Sequence, residues 1–122
     1  MITGQKLINP DFDWQQLRQL AGEDTDFEYE LLEIFLQDAQ QSLTDLEQAI
    51  ANRSIQAIQD TAHSLKGASA NVGAISLAVA ARQLEQIAQG NQLAEAPALL
   101  RQIRRHCAHI QSHLQSHLRA KQ

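Results

Sequence analysis

Aromatic residues make up only 4% of this 122-residue chain, as three Phe, one Trp and one Tyr. A core with so few rings must be built from Leu, Ile and Ala. Two prolines and five glycines leave few helix breakers, and helix is favoured nearly everywhere. The lone Cys107 excludes an intramolecular disulfide and fits a reducing compartment. No apolar run approaches the roughly 18 residues of a membrane span, and the first residues lack a signal-peptide pattern. A soluble, cytoplasmic, monomeric protein with one domain is the expectation, since this length supports a single core without staples.

What the chain does have is charge, unevenly spread. The net charge of −4 conceals eleven acids against one base, Arg18, between Asp11 and Glu47. From Leu99 onward there are five bases and no acids. A basic terminal helix can signal nucleic acid, but no aromatic stacking platform or base-reading motif accompanies it. The expected arrangement is a basic helix lying beside an acidic one in the same bundle, with neither nucleic acid nor membrane as partner.

Periodicity and capping residues give five helices. A short one runs from about Phe12 to Leu20, opened by Asp11 or Asp13 and closed by Gly22. A long one runs from about Asp26 to Ala51, capped by Asp24 or Thr25. Its apolar stripe is Leu31, Leu32, Phe35, Ala39, Leu43, Leu46 and Ile50. A third follows Ser54 and ends near Gly73. A fourth is capped by Ser76 and ends at Gly90. The last starts near Pro97, a favoured first-turn residue, and continues to about Arg119. Short loops make consecutive long helices antiparallel neighbours. The expected fold is therefore all-α: an up-down-up-down four-helix bundle over residues 10–122 with a short extra N-terminal helix. Residues 1–9 are expected to be a flexible leading segment.

The third helix carries the chemistry. At roughly 100° per residue, with His63 at zero, Ile58, Ala62, Leu65, Ser69 and Val72 cluster between about 180° and 260°. Lys66, Gly67 and Ala70 fall within about 60° of the histidine. His63 thus points away from the core, with a cation beside it and a missing side chain one turn on. A mid-helix glycine costs about 1 kcal/mol relative to alanine, so its presence there implies close approach by something bulky. Neutral imidazole is a competent nucleophile at cellular pH, and a lysine can steady phosphate charge.

The run A-H-S-L-K-G-A-S-A-N-V-G, from Ala62 to Gly73, resembles the signature of histidine-containing phosphotransfer (HPt) domains. The likeness extends from Gly22-Glu23-Asp24 through Ser76-Leu77-Ala78 and Gln83-Leu84-Glu85, over about residues 10 to 118. It implies a phosphorelay intermediate, without ATP-dependent kinase activity of its own. His63 would accept a phosphoryl group from a receiver-domain aspartate and pass it to an aspartate on another receiver. Lys66 would lie beside the phosphate and Gly67 would give access. Glu85, where relatives often carry glutamine or another polar residue, would hydrogen-bond the non-reacting ring nitrogen. Phe27, Ile34 and Ala70, with Leu17 or Leu20, would meet the receiver domains of response regulators or hybrid histidine kinases. Magnesium would belong to the receiver, and no cofactor is expected here.

Rival readings rest on other residues. His106, His109, His113 and His117 fall within about 80° on the last helix, and i, i+4 histidines can chelate metals. No carboxylate or second cysteine joins them, so no metal site is expected; a flank half covered by neighbouring helices is the alternative. Asp60 and His63 form a D-x-x-H without the second pair a di-iron bundle needs. A kinase would require a glycine-rich phosphate loop, which is missing. A histidine-kinase dimerisation segment usually follows its histidine with an acid, where this chain has Ser64. A passive adaptor bundle would use the same face without phosphate.

Overall fold

The computed structural model describes residues 11–120. Among them are five α-helices: α1 (Trp14–Leu20), α2 (Thr25–Ala51), α3 (Ile55–Val72), α4 (Ile75–Gln89) and α5 (Ala96–Ala120). A single 3-10 turn, Leu93–Glu95, leads into α5. The expected leading segment, residues 1–9, lies outside the described residues.

The helices begin and end for local reasons. Asp13 caps α1 by accepting from the Gln16 amide, and Asp24 caps α2 by accepting from the Phe27 amide; each satisfies a donor the first turn leaves orphaned. Pro97 falls in the first turn of α5. One boundary corrects the sequence expectation. Ser76 does not cap α4, because the helix already starts at Ile75 after Ala74. Its hydroxyl donates instead to Asp11 Oδ1 at 2.6 Å, and its amide to the Asp11 carbonyl.

Each long helix turns one apolar stripe inward, and α2, α3, α4 and α5 pack in a ring of antiparallel neighbours with α1 against α2 and α3. Leu32, Leu46, Ile58, Ala62, Leu77, Leu84 and Ile103 are among the fully enclosed residues. Leu31 and Ile50, placed in the stripe of α2, sit only at its edge, while Leu36 and Ala49 are buried. A 3.6-residue repeat drifts around the helix over 27 residues, so the flanking positions change as the stripe advances. The acidic and basic helices are neighbours, and Arg104 reaches Glu47 at 3.0 Å.

The tight α3–α4 turn is clamped from outside. Gly73 ends α3 with φ +88, and its carbonyl accepts from the Asp13 amide at 2.7 Å. A Cβ at this glycine would stand 2.5 Å from the Asp13 carbonyl oxygen. Both the backbone sign and the close approach demand glycine. Gln16 adds a side-chain bridge, donating to the carbonyls of Ala70 at 2.6 Å and Asn71 at 3.1 Å.

Candidate functional site

His63 stands near the middle of α3, on the side opposite the stripe that buries Ile58, Ala62 and Leu65. Its side chain is 67% exposed. The ring edge that turns toward α4 meets Glu85, with Nδ1 2.9 Å from Oε2. The second carboxylate oxygen, Oε1, accepts from Lys66 Nζ at 2.8 Å. One carboxylate therefore holds both the imidazole and the cation that follows it one turn later.

The charges explain the arrangement. The Lys66 hydrogen bond, and to a lesser degree that from His63, hold the Glu85 carboxyl below the usual carboxylate range, against a burial effect that pushes it up. An ionised carboxylate can only accept. The proton of the bond therefore sits on Nδ1, and in the neutral ring Nε2 keeps its lone pair, on a side chain that is largely exposed. Glu85 itself is only 14% exposed and Lys66 32%, so both are fixed more firmly than a free surface pair would be.

Beside the ring, Gly67 leaves open space: a Cβ built there would meet nothing within 4 Å. Ala70, the next small residue along this face, is exposed. Nothing in the fold demands glycine at position 67. Ser69 takes the core side, fully buried, its hydroxyl without a hydrogen-bond partner among the described residues. It does not reach the His63 face.

The other surface residues divide. Phe27 and Ile34 are exposed apolar residues two turns apart on α2, and Leu20 is exposed on α1. Leu17 is not available: it is fully enclosed between α1 and the core. Leu20, three residues on, is the last residue of the seven-residue helix and is left exposed at its end.

The histidine stripe of α5 lies elsewhere; aromatic rings cover His113 and His117, while His109 is exposed. His113 sits 4.1 Å from the Trp14 ring centroid, and its Nε2 is 3.2 Å from the Tyr29 hydroxyl. His117 stacks on Tyr29 at 3.4 Å, nearly parallel. Burial, with Glu28 alongside, raises the Tyr29 phenol above its ordinary range. Among the described residues no group of three or more His, Cys, Asp or Glu converges as a ligand set. A cleft of about 320 Å³ between Phe12, Trp14, Leu77, His106 and His113 contains none of the residues around His63.

Comparison with known proteins decides the family. The model of the Hpt domain matches residues 30–113. This chain belongs to the Hpt domain family. Histidine-containing phosphotransfer protein B from Pseudomonas aeruginosa PAO1 is 34% identical, with a TM-score of 0.83 over 89% of this chain and 95% of that one. A putative histidine-containing phosphotransfer protein from rice is 21% identical, with a TM-score of 0.83 over 97% of this chain and 86% of that one. Maize ZmHP2 is 22% identical, with a TM-score of 0.82 over 98% of both chains. The two plant likenesses concern the fold alone. No curated protein matches the sequence significantly. As an Hpt domain the chain is a phosphotransfer intermediate of two-component signalling. His63, Lys66, Gly67, Glu85 and Ile34 lie within the matched stretch, and Phe27 lies before it. No helix among the described residues is long and apolar enough to cross a membrane.

The Lys66–Glu85 bond is the part of the site that the sequence reading missed. A signal for it was present: His63 lies eleven residues before Ala74, at the α3–α4 turn, and Glu85 eleven after it. In an antiparallel hairpin equal distances from the turn bring residues level.

Proposed function

We propose that this Hpt domain carries the phosphoryl group on Nε2 of His63, taking it from the aspartyl phosphate of one receiver domain and giving it to the aspartate of another. The observation that carries this reading is the Glu85 hydrogen bond at Nδ1 on an otherwise exposed ring. It leaves Nε2 as the one nitrogen with both a lone pair and room for in-line attack. The Nε2 lone pair forms the N–P bond while the aspartyl O–P bond breaks and its electrons return to the carboxylate. Positioning and charge stabilisation do most of the work in such a transfer.

The neighbouring residues have distinct tasks. Glu85 fixes the tautomer. Lys66, with one ammonium proton on Glu85, has two more for oxygens of the arriving phosphoryl group. Gly67 and Ala70 let the receiver's backbone come close. Phe27 and Ile34, with Leu20, form an apolar rim for the receiver. Magnesium belongs to the receiver's acidic pocket, and the domain works as a monomer in the cytoplasm without hydrolysing ATP.

Incubation with a phosphorylated cognate receiver is expected to place an acid-labile phosphate on His63, and His63→Gln to abolish it. Persistent labelling of the variant would remove the assignment. Autophosphorylation of the wild-type chain with ATP alone would show kinase activity instead.

A further inference from the structure

A carboxylate, rather than an amide, shared between the ring and the lysine has a consequence for the phosphorylated state. When Nε2 takes the phosphoryl group, the ring keeps its Nδ1 proton and becomes a phosphoimidazolium cation. Release breaks the P–N bond and returns its electron pair to Nε2. With Nδ1 protonated the leaving group is neutral imidazole; without that proton it is imidazolate, a far poorer one. The pH at which Nδ1 of the phosphorylated ring loses its proton therefore sets where the carrier gives up its phosphate.

We propose that Glu85 is a positioning residue whose negative charge holds the Nδ1 proton on phosphorylated His63, extending the pH range over which the group can be released. This rests on the assignment of His63 as carrier and adds to it. Glu85 Oε2 is already at hydrogen-bond distance in the unphosphorylated protein, so the cation forms against a partner in place. A hydrogen bond from a cation to a carboxylate is roughly twice as strong as one between neutral groups. The other charged groups within a turn of the pair are few. On α3, Lys66 is bound to Glu85 and opposes the cation, and Asp60 is occupied by Gln56 at 2.8 Å. On α4, Arg82 precedes Glu85 by one turn and also opposes it. The attractive charge in direct contact is Glu85.

Atoms balance in both directions without a proton leaving the ring. Acceptance forms N–P and breaks O–P on the first aspartate. Release breaks N–P and forms O–P on the second, and Nδ1–H stays with Glu85 throughout. The shuttle needs no general base from solvent.

The test uses the whole chain and a small donor, potassium phosphoramidate, so that no receiver need be known. Phosphohistidine is followed by phosphorus NMR while it decays at pH values from about 5 to 9. Glu85→Gln keeps the shape and removes the charge. Its decay midpoint is expected about one unit lower than that of the wild type, the low end of what an adjacent opposite charge does. At pH 7.5 its decay should be several-fold slower. Lys66→Met removes an opposing charge and should leave the midpoint unchanged or raise it. Coincident midpoints for wild type and Glu85→Gln would overturn the proposal. Decay on the wild type without any label on His63 would instead overturn the carrier assignment.

Discussion

At the residue scale, Gly67 separates what the fold wants from what function wants. The backbone there is helical and a Cβ has open space, so Gly67→Ala should stabilise the isolated domain by about 1 kcal/mol, the usual helix-interior difference. Thermal melting checks that half of the prediction. Transfer from a phosphorylated receiver should slow in the same variant, because on the proposed reading the methyl group would stand where the receiver approaches. A variant that is both more stable and equally fast would make Gly67 an unused position. Lys66 poses the opposite question. Lys66→Ala should leave the fold intact and slow transfer about tenfold, less than the ~10²–10³ lost when an enclosed donor is removed, since this one is partly open to water. Rapid-mixing transfer assays read that directly. The orientation of these side chains was legible in the sequence because helix geometry alone sets which residues share a face with His63. The Lys66–Glu85 bond was signalled only by the equal distances of His63 and Glu85 from the α3–α4 turn, and it depends on a register between two helices that a single turn of error would destroy.

At the element scale, the α3–α4 turn is the joint on which α1 is seated. Gly73→Ala meets both a left-handed backbone, worth roughly 1–2 kcal/mol for an ordinary residue, and the Asp13 carbonyl in its path. A loss of about 2 kcal/mol or more is expected in urea unfolding. Amide exchange should quicken first in α1, which loses the Asp13–Gly73 bond. Helix number and order were readable from spacing, and each capping aspartate was one of two candidates that the sequence offered. Ser76 was misplaced for a physical reason. A serine ahead of an apolar run looks like a cap, but the chain returning through Asp11 offered its hydroxyl a stronger acceptor. Likewise Leu17 went inside and Glu28 was buried beside Arg18, 3.5 Å away; both depend on where α1 lands, which no local pattern states.

At the scale of the whole molecule, the pH range of stability follows from three groups away from the site, Cys107 buried and His106 and Tyr29 partly so. Burial, the largest effect on His106, lowers its affinity for a proton below the ordinary 6.5. The unfolded chain then binds more protons in that window, so stability falls as pH drops through about 6.5. Burial acts the other way on acids that are neutral at pH 7. It pushes the Cys107 thiol from 9.0 up to about 11 and raises the Tyr29 phenol above 10.0. The folded chain holds those protons longer, so stability falls as pH rises beyond about 9. Melting temperature against pH should show a plateau between these limits. Cys107→Val should remove part of the alkaline slope, and an unchanged slope would assign it to Tyr29. The single tryptophan adds a practical gift. Trp14 is wedged between Phe12 and an imidazole at the foot of the bundle, so its native fluorescence is a built-in gauge of whether that short helix stays docked when a signalling partner arrives.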